Sequence, residues 1–362
     1  MSIVKKNIRL HLTNINGLGS SLLLKSMLPH LISDTRIKIA KIYVGNKQGA
    51  LANGFDDQKI IFHYKRILPN IISRFIECIF FEFFYRDNSL LLVFGDIPLR
   101  VRCKQVLFFQ NSLLVNNENN DASMFSVKIF FQKLLFSINQ NYITTLVVQS
   151  EYMKSRVLKS YPLLAGRVRV ISHPPPQASL ENILEGERVA ESCHLELIYP
   201  ASFYPHKNHI LLKELLNLLG SRSVDTSFLS ILLTINKENL PWATDPVKFC
   251  GVLSQIDLMD EYTRVSGLIF LSLAESYGFP LVEAMLKGLP IICPRLEYAR
   301  AICGSEAIYF ESSNAESLLE AILELDARLK SGWKPDWTNA LVNIPKDWCA
   351  ATARLVDLLV EA

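Results

Sequence analysis

Short apolar runs recur along this 362-residue chain, and between them the apolar residues return every three or four positions. The first habit suits a strand buried on both faces, the second a helix with one buried side. Strand and helix alternating in this way leave few choices of fold. Consecutive strands run parallel, and the crossover helices cover the sheet. In the first half NIRLHLT, IKIAKIYVG, KIIFHY, SLLLVFGD, KQVLFFQN, YITTLVVQS and RVRVISHP read as strands, separated by helices in SLLLKSMLPHLI, NIISRFIECIFFEFF, FSVKIFFQKLLFSI and EYMKSRVLKSYP. The series then stops. SHPPPQASLENILEGERVAESCH, residues 172–194, carries three consecutive prolines and no strand pattern, and predicts a stiff, extended connector. A second series starts at LELIYPAS and ends with a helical tail, DWCAATARLVDLLVEA. The expectation is an α/β chain of two doubly wound domains, residues 1–175 and 195–345, with a linker at 176–194 and a terminal helix within 346–362. Such folds bind ligands outside the carboxyl ends of their strands, so the gap between two such domains is the expected site.

Apolar residues make up 49% of the chain and charged ones 20%, which excludes a disordered polyelectrolyte. Seven cysteines form no CxxC pair, and their loose spacing fits buried thiols in a reducing compartment better than a disulfide frame or a zinc site. MSIVKKNIRLHL lacks the apolar run and cleavage site of a secretory leader, so the protein is expected in the cytoplasm. The most lipid-like stretch, residues 74–96, is broken by Arg74, Glu77, Glu82, Arg86 and Asp87, and reads as a core helix followed by a core strand rather than a membrane span. Charge is divided unevenly. Residues 1–170 hold 23 Lys and Arg against 10 Asp and Glu, while the remainder holds 15 against 25. A basic, aromatic-rich first half is expected to favour an anionic membrane surface, giving a peripheral protein; no nucleic-acid motif accompanies the charge.

One segment asks for a chemical explanation. In AESYGFPLVEAMLKGLP, residues 274–290, a loop at the end of the apolar run SGLIFLSL leads into a helix begun by Pro280 and ended near Gly288 and Pro290. Glu283 is expected in the first helical turn, where a carboxylate offsets the helix dipole. That role leaves Glu275 unexplained. It sits in a glycine-containing turn at a strand tip, among N–H groups able to receive an anionic or hydroxyl-rich ligand.

The Glu-x7-Glu spacing of ESYGFPLVE, followed by AMLKGLPIICP, resembles the donor-site signature of retaining GT-B glycosyltransferases, the group 1 or family 4 type. YPASFYPHKNHILLKEL resembles that family's phosphate-contacting strand, loop and helix, and the likeness covers most of residues 195–325. It implies a GT-B fold and a metal-independent enzyme with a nucleoside-diphosphate sugar as donor and no cofactor. The acceptor would be a saccharide, lipid-linked as in bacterial surface polysaccharide or lipopolysaccharide assembly, at the cytoplasmic face of the inner membrane. By the same likeness Glu275 contacts the transferred sugar, Lys207 neutralises the departing diphosphate and Glu283 holds the ribose. Ser276, Tyr277, Gly278, Phe279, Leu281 and Val282 complete the donor site. The loop NINGLGSS resembles the family's first glycine-rich loop, which adds Gly17 and Gly19; Leu22 stands where a dinucleotide fingerprint needs glycine. No Asp-x-Asp pair or metal-ligand spacing is present in the sequence.

Two departures from the family pattern matter. ASFYPHK lacks the arginine that many relatives place before the lysine, and Gln110 and Asn111 follow VLFF where many carry a histidine with an acidic neighbour. Asp96 and Asn111 are therefore the acceptor-side candidates. His11 and His63 lie in strand patterns and read as core residues; His206 and His209, flanking Lys207, read as loop and helix surface. Other readings remain at this point: a non-catalytic sugar- or partner-binding relative, a nucleotide-sugar epimerase or a phosphorylase. No pyridoxal-phosphate lysine motif or epimerase acid–base set is visible.

Overall fold

The computed structural model describes residues 5–13, 15, 18–45, 61–64, 70–84, 87–115, 124–183 and 194–362. The chain divides into two compact units, Met1–Pro174 with Pro345–Ala362, and Pro175–Ile344.

The first unit is built on seven parallel strands: β1 (Lys6–His11), β2 (Ile37–Gly45), β3 (Ile61–Tyr64), β4 (Leu90–Phe94), β5 (Gln105–Phe108), β6 (Thr145–Val148) and β7 (Val168–Val170). Their order is β3-β2-β1-β4-β5-β6-β7, so the chain reverses direction across the sheet between β1 and β4. Every residue of β4 and β5 is buried, as central strands of a covered sheet require. Helices α2 (Asn70–Phe84), α3 (Met124–Asn139) and α4 (Glu151–Ser160) pack Cys78, Phe81, Leu135, Phe136, Met153 and Val157 into one core with the strands. Ser150 caps α4 by accepting a hydrogen bond from Met153 N, while Glu151 and Lys159 suit the two ends of the helix dipole. Helix α1 (Leu18–Ser33) packs with the terminal helix α12 (Trp348–Glu361), whose Trp348 is fully buried and stacks on His173 at 5.1 Å. The terminal helix therefore belongs to the first unit.

The second unit has six parallel strands, ordered β10-β9-β8-β11-β12-β13. These are β8 (Leu195–Tyr199), β9 (Leu229–Leu233), β10 (Val247–Phe249), β11 (Gly267–Ile269), β12 (Ile291–Pro294) and β13 (Ile308–Phe310). Its helices are α5 (Gln177–Ile183), α6 (Ile210–Ser221), α7 (Gln255–Arg264), α8 (Phe279–Leu286), α9 (Glu297–Cys303), α10 (Ala315–Lys330) and α11 (Thr338–Leu341). The reversal of strand order falls between β8 and β11. Both sheets are thus doubly wound.

Three expectations need correction. The stiff connector begins with helix α5, which packs on α7 and α8 and belongs to the second unit; the prolines end at Pro176 and leave the next turn free to coil. The apolar run SGLIFLSL contributes only three residues of strand. Beyond Phe270, loop contacts replace the sheet ladder: Leu273 N donates to His206 O at 2.8 Å, and Tyr298 OH donates to Ser272 O. The cysteines are not uniformly sequestered. Cys78, Cys293 and Cys303 are buried, whereas Cys250 and Cys349 are exposed. Cys193 lies outside the described residues.

Candidate active site

The strand-order reversal in the second unit places two loops side by side at the carboxyl ends of β8 and β11. The first runs from β8 through a single 3-10 turn, Pro205–Lys207, into α6. Tyr199 OH holds the end of that turn through Lys207 O at 2.6 Å, and Asn208 takes a left-handed conformation, φ 54°, to redirect the chain. The second loop is tied to it by Leu273 N and, at 3.3 Å, by the hydroxyl of Ser272, both bonded to His206 O. Lys207 Nζ consequently meets Glu275 Oε1 in an ion pair whose side chains are 17% and 13% exposed. The ammonium also lies 5.7 Å from the centre of the Phe270 ring.

Lys207 is the only cationic side chain of its loop at neutral pH. Burial, reinforced by Lys207, lowers the imidazoles of His206 and His209 to about 4. His209 is not on a helix surface: it is 3% exposed, wedged between the rings of Tyr199 and Phe203 at 5.1 and 5.5 Å. Neither ring nitrogen of His209, nor Nδ1 of His206, nor Nδ2 of Asn208 makes a hydrogen bond within the protein. Several buried polar atoms thus surround the lysine without partners, although a buried polar group ordinarily has one.

Glu275 and the half-buried Ser276 precede a tight entry into α8. Gly278 has φ +75°, and a Cβ there would lie 3.2 Å from both Ile302 and Leu281, so the position demands glycine twice over. Tyr277 and Phe279 pack edge to face, 5.4 Å apart. Leu281 and Val282 contribute less than expected. Their side chains are in the core, and both N–H groups are spent on Gly278 O.

Glu283 also differs from expectation. It is the fifth residue of α8, beyond the first turn, and 2% exposed. Its Oε1 accepts hydrogen bonds from Ser179 Oγ at 2.8 Å and Gln255 Nε2 at 2.7 Å, and its Oε2 from Tyr262 OH at 3.4 Å. Burial raises its pKa to about 7 despite these donors. Ser179, Gln255 and Tyr262 escaped the sequence reading because they come from α5 and α7, far away in sequence and without a motif.

In the first unit, Asn111 Nδ2 donates to Asp96 Oδ2 at 3.0 Å, joining the two acceptor-side candidates beyond β4 and β5. Asn111 also caps the short turn Ser112–Leu114. Burial raises the Asp96 pKa, opposed by Asn111 and by the charges of Arg74 and Lys128. A second cluster was missed. Glu77 of α2 lies 2.8 Å from His11 Nε2 at the end of β1, accepts from Thr13 Oγ1 at 2.7 Å, and meets Arg74 at 3.3 Å. Its only sequence signal was a glutamate within the apolar run FIECIFFEFF. Gly19 is an exposed residue in the first turn of α1 rather than part of a loop, and Gly17 lies outside the described residues. His63 falls in β3. Among the described residues, no three His, Cys, Asp or Glu side chains form a group that could hold a metal ion.

The strand reversal, the paired lysine and glutamate and the glycine-gated helix all fall within a recognisable stretch. Residues 196–327 match the family model for glycosyl transferases group 1. No match to the chain was found among curated proteins. Among solved structures, a glycosyltransferase from Rickettsia africae has a TM-score of 0.64 at 14% identity, covering 99% of this chain and 98% of its own. HepE from Anabaena, solved with UDP and glucose, has a TM-score of 0.63 at 12% identity, covering 99% and 100%. A UDP-GlcNAc 2-epimerase from Methanocaldococcus jannaschii has 0.58 at 12%, again covering 99% and 100%. At such identities the likeness shows the fold, which is the GT-B arrangement of two Rossmann-like domains. In the second unit, Lys207 and Glu275 occupy the place where doubly wound sheets hold ligands.

Proposed function

We propose that the protein is a retaining glycosyltransferase that moves a hexosyl group from a nucleoside-diphosphate sugar to a saccharide acceptor, lipid-linked and presented at an anionic membrane. The observation that carries this reading is the Lys207–Glu275 pair at the β8/β11 reversal, ringed by unpartnered buried polar atoms. A lysine held there presents fixed positive charge to a diphosphate in a poorly hydrated place, where it is worth far more than in water. Lys207 and the start of α8 supply this charge in a metal-independent, cofactor-free reaction.

In the proposed reaction the bond from the anomeric carbon to the diphosphate oxygen breaks, and its electron pair stays with the diphosphate. Lys207 offsets the charge that develops there. The acceptor oxygen bonds to the anomeric carbon on the face the diphosphate leaves, and its proton passes to the departing phosphate oxygen. Glu275 exchanges its contact with Lys207 for a sugar hydroxyl as the donor enters. Glu283 takes the ribose hydroxyls on Oε2, which carries only the long Tyr262 bond, while Ser179 and Gln255 hold Oε1. Asp96 and Asn111 are the proposed acceptor-side groups.

A thermal-shift screen of the purified protein against nucleoside-diphosphate sugars, followed by donor-consumption assays, tests the reading. At least one donor should raise the melting temperature and be hydrolysed or transferred. Binding without turnover would instead support a non-catalytic relative, inversion at a single carbon of the sugar with no transfer an epimerase, and no binding at all would overturn the donor site.

A further inference from the structure

Helices α2 and α3 of the first unit each bury one side and expose another that is equally apolar. Along α2, Ser73, Glu77, Cys78 and Phe81 face inward, yet Ile72, Phe75, Phe80 and Phe83 are exposed at helical spacing. Along α3, Leu135, Phe136 and Asn139 are buried, while Val127, Phe130, Phe131, Leu134 and Ile138 are exposed. The two helices touch, and Asn139 Nδ2 of α3 donates to Cys78 O of α2 at 3.1 Å. Single exposed apolar residues are ordinary, but adjoining stripes with Phe83 83% and Phe130 63% exposed are not.

Basic groups border the stripes. Lys128 and Lys133 lie on α3 beside its exposed side chains. Beyond the carboxyl ends of both helices is an open cavity of about 570 Å³, lined by Arg102, Lys104, Tyr142 and Arg167 among others. Arg102 approaches Glu82 of α2 at 3.8 Å, and Arg100 N donates to Cys78 O at 2.8 Å, so this basic segment runs directly alongside α2. Lysines are depleted where protein meets protein but frame the apolar face of helices that rest in lipid headgroups. Among the described residues no helix is long and apolar enough to cross a membrane, which suits helices lying in the interface plane.

We infer that the outer face of α2 and α3 docks on an anionic bilayer, with the phenylalanines entering the headgroup layer and the Arg102–Lys104–Arg167 cavity receiving lipid phosphates. The inference names a surface of the first unit alone and does not depend on what the second unit catalyses.

Co-sedimentation with phosphatidylcholine vesicles, with and without phosphatidylglycerol, tests it on the full chain. Wild type should bind strongly only when phosphatidylglycerol is present, and less as salt rises. Phe83→Ser and Phe130→Ser should each weaken binding about tenfold. Arg102→Glu and Lys104→Glu should each weaken it about fivefold or more. All four positions are at the surface or cavity rim, and an unchanged melting temperature verifies folding. Absence of vesicle binding by wild type, or phenylalanine variants that bind as wild type does, would overturn the inference. So would light scattering that shows a dimer lost in Phe83→Ser while vesicles are ignored, because a second copy would then be the occupant. The nucleotide-sugar thermal shift, measured on the same variants, reports the donor site separately.

Discussion

Each sheet reverses its strand order once, and each reversal gathers polar side chains at the strand ends, but the two gatherings have opposite fates. Between β1 and β4, His11, Thr13 and Glu77 are sealed, at 0%, 2% and 1% exposure. Between β8 and β11, Lys207 and Glu275 stay within reach of solvent. Topology selects the place in both cases. What differs is where the carboxylate comes from. Glu77 projects from the buried side of its helix onto His11, against which Phe81 packs edge to face and Tyr43 tilted. Glu275 comes from a loop pulled out of the ladder by its bonds to the neighbouring turn. One cluster is sealed in the core; the other stays partly open to solvent.

The sharpest way to break this contrast is to remove each carboxylate. Glu77→Ala strands His11, Thr13 and Arg74 together and should lower the unfolding free energy by about 3–5 kcal/mol in a denaturant titration. Glu275→Ala should cost only about 1 kcal/mol in the same experiment. Similar losses would mean that both sites are structural. Next in size, Lys207→Ala should reduce kcat for donor turnover about 10²–10³-fold with a smaller change in donor KM. A variant with normal kcat would remove the lysine from the reaction.

A third comparison uses pH. The folded pKa of Glu283, about 7, lies above its ordinary value of 4.5. As pH rises from 4.5 to 7 the unfolded chain gives up this proton while the folded chain keeps it, so stability falls over that window and is level above it. Wild type should lose about 3 kcal/mol relative to Glu283→Gln between those limits. His173, His206 and His209, lowered to about 4 by burial, act in the opposite sense: the stability they contribute is present above pH 6.5 and is lost as pH falls toward 4. They are common to both proteins and cancel in the difference. Parallel pH profiles would show that Glu283 ionises normally. The smallest effect is expected at Ser179. Because its hydroxyl holds Oε1 of Glu283, Ser179→Ala should weaken nucleotide binding a few-fold by calorimetry, about one hydrogen bond's net worth; unchanged or tighter binding would show that Ser179 does not position the carboxylate for the ribose.

Much of this is legible in the sequence alone. NIISRFIECIFFEFF reads as a helix from its spacing alone and forms α2 over the same residues, Asn70–Phe84. The two α/β series and the loops bearing Lys207 and Glu275 were equally readable, because strand period and breaker residues are local signals. Glu283 was placed too early in its helix, since Pro280 marks the first turn but not the first residue. Its partners were invisible: Ser179 is 104 positions away, in a helix masked by the prolines before it. The sealed state of Glu77 was hidden for a similar reason. A charged residue in an apolar helix announces a partner without naming it, and His11 is 66 positions distant.

The return of α12 to the first unit sets the timetable of assembly. On the ribosome, residues 175–344 are made before the segment that covers α1, so the first unit waits with an apolar flank bare while the entire second unit emerges. Trp348, arriving late to close over His173, is the latch on a domain that was begun first and finished last.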